Sequence, residues 1–253
     1  MQDQILNYLT SSGPDSRSRM VDTYREETVE FSRLLALMID PLTNFMKANP
    51  TNDPARPFHA AYGLLTKGAN TLGAAYELIL SGYLWEPPAL FRIVVESCAV
   101  AWDITTNPDR YQLWLAGKKF QSTDSIGSAK SVIADIGRLY GLLSQMNVHT
   151  SVLNASPAMF LSDGTPKFQL LGLVPSGKEV ARKSDVYHAL FITYICLQLT
   201  EAVFWKHSSR LETLEPIAGT EFAQSTVSAT HRQFADQAIR AFQDLVNDTT
   251  IAF

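Results

Sequence analysis

The stretch Gly82 to Asp103, GYLWEPPALFRIVVESCAVAWD, constrains this chain most. A Gly–Tyr turn leads into a run whose prolines, Pro87 and Pro88, stand at its start. Proline is tolerated in a first helical turn, where N–H groups have no intrahelical acceptor, and disrupts a helix further in. The rest of the run is apolar almost all the way round, and such a helix belongs in a core. Three charges interrupt its helical part: Arg92, Glu96 and Asp103. At about 100° per residue, Glu96 lies roughly 40° and Asp103 roughly 20° from Arg92, so the three share one narrow stripe. Either the stripe faces solvent, with a weak i,i+4 pair, or its charges are buried against polar groups, because an unpaired buried charge is very costly. Flanking Ile93, Val94, Val95, Cys98 and Val100 leave little room for a wet face. Arg92 and Glu96 are therefore expected to be buried and to meet polar partners.

Helical punctuation dominates the remainder. Residues 1–14 read as a mobile N-terminal segment, and a helix is predicted from about Asp15 to Met38, with a kink or restart at Asp40-Pro41. Three prolines between Asn49 and Pro57 exclude a continuous helix there. Phe58 to Leu80 is helical in pattern, and its Gly68, Gly73, Ala74 and Ala75 cost helix propensity that close approach of a neighbouring helix would offset. Gly82 fits the position just past its end. Asn107-Pro108 gives a cap followed by a first-turn proline, starting a short helix closed by Gly117. Ser122 or Asp124 caps the next predicted helix, which runs through Ile136, Tyr140 and Met146.

Met159-Phe160-Leu161 and Phe168 to Val174 flank Asp163-Gly164 and read as a small β-hairpin over about 157–175. A second core helix is predicted over Lys178–Lys206, and an amphipathic one over about Thr220–Asn247. The expected fold is all-α: an antiparallel bundle of six to eight helices with one hairpin insertion, forming a single domain over residues 15–253.

The net charge is −4. A protein that lives on phosphate contacts usually carries a basic surplus, so a nucleic-acid partner is not expected. The N-terminal MQDQILNYLT lacks the basic and long apolar regions of a secretory signal. No segment holds about 18 uninterrupted apolar residues, the length of a membrane span. A cytoplasmic protein without membrane contact is the expectation. Cys98 and Cys196 fall inside apolar helical runs and read as free buried thiols rather than as a secreted disulfide framework.

The chemistry-bearing residues are few. Tyr140 and Ser144 share a helix face at i,i+4, and His149 follows the end of that helix. A histidine there suits the negative helix terminus. No Gly-x-Ser-x-Gly elbow accompanies Ser144, so no catalytic serine is expected. No zinc spacing, Glu-x-x-His pair, P-loop or dinucleotide fingerprint appears, so neither a metal nor a cofactor is expected. Tyr83, Trp85, Trp102, Tyr111 and Trp114 cluster around the charged helix as core or as pocket walls.

Taken in order, Gly82-Tyr83, Pro88-Ala89-Leu90-Phe91-Arg92 with Glu96, Asn107-Pro108, and Ser144 with His149 resemble a family of uncharacterised bacterial helical proteins. Members of that family show a G-Y/F…L-x-R-x-x-x-E helix, an x-P-E/D helix start and a later S-x-x-x-x-H segment. The likeness spans roughly Ala60 to Ser151. It implies that Arg92 and Glu96 meet Ser144 and His149 in one polar cluster at the bundle centre, and it implies a distant likeness to HEPN-type helical domains. Many of those are metal-independent ribonucleases with four to six residues between an Arg and a following His. Arg182 and His188 give one such match, but in a regular helix they point about 120° apart.

Two functions follow as expectations. One is a module binding a small molecule or a protein partner through Arg92, Glu96, Tyr140, Ser144 and His149, with a homodimer formed by the Phe222–Leu245 face. The other is a HEPN-like ribonuclease or toxin.

Overall fold

The computed structural model describes residues 13–48, 56–83, 86–118, 120–147 and 183–208. Among the described residues the chain is all-α. Its helices are α1 (Gly13–Thr23), α2 (Arg25–Ala48), α3 (Pro57–Leu80), α4 (Glu86–Thr106), α5 (Pro108–Leu115), α6 (Ser122–Ala129), α7 (Ile136–Asn147) and α8 (Lys183–Ser208). The hairpin expected over 157–175 and the helix expected over 220–247 lie outside the described residues.

The helix that dominates the sequence also occupies the centre of the structure. α4 packs against α3, α5, α6, α7 and α8. Val94, Val95, Cys98, Ala99 and Ala101 are fully buried, as a helix apolar on nearly every side requires. Its closest companion is α3. A Cβ placed on Gly68 of α3 would come 3.4 Å from Cys98 Sγ and 3.9 Å from the Val94 carbonyl oxygen. The small residue therefore lets two helices approach, which is the compensation its poor helix propensity called for. Gly68→Leu is expected to overpack this contact and lower the unfolding free energy by about 1–3 kcal/mol in urea titration.

α8 closes the core against α2, α3 and α4. Tyr62 of α3, fully buried, stands where three helices meet: its ring lies 3.8 Å from Phe45 of α2 and 4.9 Å from Phe204 of α8. Higher up the same seam, Phe31 of α2 stacks on Tyr76 of α3 at 3.8 Å. Cys98 and Cys196 are both buried and free, and the Cys196 thiol is held well above its ordinary range by a hydrogen bond with Cys98 and by burial. Such thiols are poor nucleophiles and act as small apolar groups.

Local caps behave as the residue types predict. Gly82 (φ 85°) ends α3 and Gly117 (φ 60°) follows α5, both in the left-handed region that favours glycine. Asn107 accepts hydrogen bonds from the Asp109 and Arg110 amides at 3.1 and 3.3 Å and so starts α5.

Two expectations are corrected. The N-terminal helix breaks at Tyr24, and Pro41 lies inside α2 rather than at a restart. Proline there forfeits one hydrogen bond, to the Leu37 carbonyl; the buried Met38, Leu42 and Phe45 on either side tie the helix to the core across that gap. The helix predicted to run from Ser122 to Met146 is two helices, α6 and α7, joined by a turn over residues 130–135. Ser131 donates its hydroxyl back to the Ser128 carbonyl at 2.8 Å, competing with helix continuation.

Candidate functional site

The charged stripe of α4 faces two elements, and it divides accordingly. At its C-terminal end Asp103 is buried. Asp103 Oδ2 accepts from Arg110 Nε at 2.8 Å and from Ser125 Oγ at 2.8 Å. Arg110 also donates Nη1 to Asp124 Oδ2 and Nη2 to the Gln121 carbonyl, both at 3.1 Å, and its guanidinium lies 4.1 Å above the Phe120 ring. This knot ties α4, α5 and α6 together with its donors and acceptors matched. Its bonds join α4 to α5, α6 and the segment before α6, a structural role. Sequence reasoning placed Asp103 on the stripe but missed Arg110. The available signal was an arginine three residues after a capped helix start, two turns beyond a core aspartate.

The N-terminal half is different. Arg92 and Glu96 are half-buried rather than fully buried. Arg92 Nη2 donates to Tyr140 Oη at 2.9 Å, and Tyr140 Oη donates in turn to Glu96 Oε1 at 3.1 Å. The two charges are thus linked through a phenol of α7 that is itself buried. The Arg92 guanidinium also lies 5.1 Å from the centre of the Tyr140 ring, a cation–π distance. Ser122 Oγ of α6 completes the group 3.5 Å from Tyr140 Oη. One donor is left over. Arg92 Nε is buried and has no acceptor among the described residues. A buried donor without a partner costs on the order of 1–3 kcal/mol, so this atom is where an acceptor from elsewhere would be favoured.

Of the five residues expected at the site, three converge: Arg92, Glu96 and Tyr140. Ser144 is on the same helix as Tyr140, but its hydroxyl donates to the Tyr140 carbonyl at 2.8 Å, a bond within its own helix. His149 lies outside the described residues. Among the aromatic neighbours, Tyr111 is core and pairs with Trp114 at 6.5 Å. Trp102 is partly buried, with its indole Nε1 unpartnered among the described residues. Among the described residues no group of three His, Cys, Asp or Glu side chains is placed to hold a metal ion.

Tyr140→Phe removes the bridging hydroxyl and leaves a cation and a carboxylate short of one partner each. The expected loss is about 1.5–3 kcal/mol of unfolding free energy, the range for hydrogen bonds to charged groups. Ser144→Ala, losing only a bond within its own helix, is expected to change stability by less than about 0.5 kcal/mol.

No family model, curated protein or solved structure matches the chain.

Proposed function

We propose that the chain is a binding module whose recognition group is the Arg92–Tyr140–Glu96 relay. The observation that carries this reading is the buried, unpartnered Nε of Arg92. A guanidinium presents donors in a fixed planar fork that suits carboxylate and phosphate oxygens. Tyr140 engages one arm of that fork and holds it in place, so the orientation is set before a ligand arrives. The partner group is therefore an anionic oxygen acceptor, carried by a small molecule or by a protein side chain. The likeness to the uncharacterised helical family implies two members of this set, Arg92 and Glu96; Tyr140 comes from the hydrogen bonds. The proposed antiparallel arrangement of the helices, in which α4 forms the centre and α6 and α7 cover its polar stripe, supports the same reading.

The test is a melting-temperature screen of the purified chain against acetate, citrate, phosphate and sulfate, repeated on Arg92→Met. Stabilisation of the wild type by at least one anion, absent in Arg92→Met, is the expected result. Equal responses from both chains, or no response from either, would contradict the reading. The ribonuclease alternative depends on Arg182, outside the described residues, and His188, half-buried on α8; no observation favours it. Incubation with mixed RNA in EDTA is expected to give no cleavage that His188→Ala abolishes.

A further inference from the structure

The relay that links Arg92 to Glu96 leaves one atom spare on each charged group. Tyr140 Oη takes the Nη2 donor of Arg92 at 2.9 Å and gives its own proton to Glu96 Oε1 at 3.1 Å. On the arginine, the buried Nε–H has no acceptor among the described residues. On the glutamate, Oε2 accepts no hydrogen bond from any described residue. A carboxylate offers about four lone-pair sites, so Glu96 keeps most of its accepting capacity unused. The tyrosine has nothing more to donate, because a phenol carries a single O–H and Glu96 takes it. What the group still presents is a cation's donor and an anion's acceptor, side by side.

Hydrogen bonds of 2.9 and 3.1 Å to one phenol oxygen keep the two charged heads within about 6 Å of each other. At that spacing neither charge acts alone. An anion drawn to Arg92 also meets the Glu96 carboxylate, and a cation drawn to Glu96 also meets the guanidinium. A ligand that carries both charges a few bonds apart meets an opposite charge at each end. It also uses both spare atoms, and hydrogen bonds between charged groups are the strong ones. Solvent reaches the pair along the Glu96 side of the stripe, where Ala89 is half-buried and Ile93 is 39% exposed. The third charge of the stripe, Asp103, is taken up by Arg110 at 2.8 Å and leaves this balance undisturbed.

We propose that the Arg92–Tyr140–Glu96 group binds a short zwitterion of the amino-acid class, with its anionic oxygen on Arg92 Nε and its ammonium on Glu96 Oε2. This rests on the reading of Arg92 as an anion-binding group and adds the second half of the ligand. Tyr140 sets the spacing between the two ends and contributes no charge of its own.

The test titrates the full chain with four probes and reads half-saturating concentrations from backbone amide 15N–1H shifts. Glycine and β-alanine carry both charges, acetate lacks the ammonium, and glycinamide lacks the carboxylate. The wild type is expected to bind at least one of the two zwitterions at least about tenfold more tightly than acetate or glycinamide, the worth of one added hydrogen bond to a charged group. Glu96→Gln keeps an acceptor for the Tyr140 hydroxyl. In that variant the advantage over acetate is expected to disappear, while acetate binds at least as tightly as before. Arg92→Met is expected to lose both acetate and the zwitterions. Acetate binding that Arg92→Met abolishes, with neither zwitterion tighter, would overturn this proposal and leave the anion reading standing. No response to any probe would overturn both. A zwitterion advantage that survives Glu96→Gln, or glycinamide binding as tight as that of the zwitterions, would also overturn the proposal. Should Glu96→Gln fail to fold, the four probes compared on the wild type decide.

Discussion

Replacing Asp103 with alanine is expected to lower the unfolding free energy by about 3 kcal/mol, the lower end for removing one partner of a buried ion pair. Asp103 has a side chain 3% exposed, and that of Arg110 is 16% exposed. Deleting the carboxylate strands a guanidinium that water reaches only in part, together with the buried hydroxyl of Ser125. The loss stays at the lower end because Asp124 and the Gln121 carbonyl still accept from Arg110. Asp124→Ala gives the comparison. Its side chain is 56% exposed, so the same change of charge there is expected to cost at most about 1 kcal/mol. The double variant Asp103→Ala/Arg110→Met should be less damaged than the sum of the two single changes, because no charge is left stranded. Urea titrations of the wild type, the three single variants and the double variant measure all of this. Equal losses for Asp103→Ala and Asp124→Ala would show that the knot does not hold α4 to α5 and α6.

The second large effect is at the three-helix junction. Tyr62→Ala is expected to cost about 4 kcal/mol, since it removes an aromatic ring with no solvent exposure and leaves a cavity between α2, α3 and α8. Tyr62→Phe keeps both ring contacts and is expected to lose no more than about 1.5 kcal/mol, the worth of a hydroxyl hydrogen bond. A Tyr62→Ala loss below about 1 kcal/mol would mean that the junction collapses freely or is not packed as described.

These two sites show what a single sequence makes legible. Features decided within a turn of chain were readable: Asn107 as a cap, Gly82 and Gly117 past helix ends, and Pro87 and Pro88 in a first turn. Each depends on backbone geometry that the residue type largely determines. The centrality of α4 was readable too, because a helix apolar on nearly all sides has nowhere else to go.

Tertiary context escaped the pattern. Pro41 reads as a helix break by its missing N–H, yet packing of Met38, Leu42 and Phe45 carries α2 through it. The turn between α6 and α7 hides in a run whose apolar spacing looks continuous. Its break comes from a polar stretch whose serine bonds to its own backbone. At the site, the stripe was visible but its division was not. The geometry gives Asp103 to Arg110, seven residues on across a cap, and gives Arg92 and Glu96 to Tyr140 on a helix more than forty residues away. Tyr140 and Ser144 looked equivalent on one helix face; only the tyrosine is long enough to reach the stripe, while the serine bonds locally.

In the proposed binding role, Arg92 offers its Nε–H to an outside acceptor. The most direct measurement is the 15N–1H resonance of that group, assigned by its loss in Arg92→Lys and followed through titrations with acetate and phosphate. A saturable shift of the Arg92 signal with at least one of the two anions is expected, with loss of that response in Tyr140→Phe, where the fork is no longer held. An Arg92 resonance that does not move with either anion, while other arginine signals do, would contradict it.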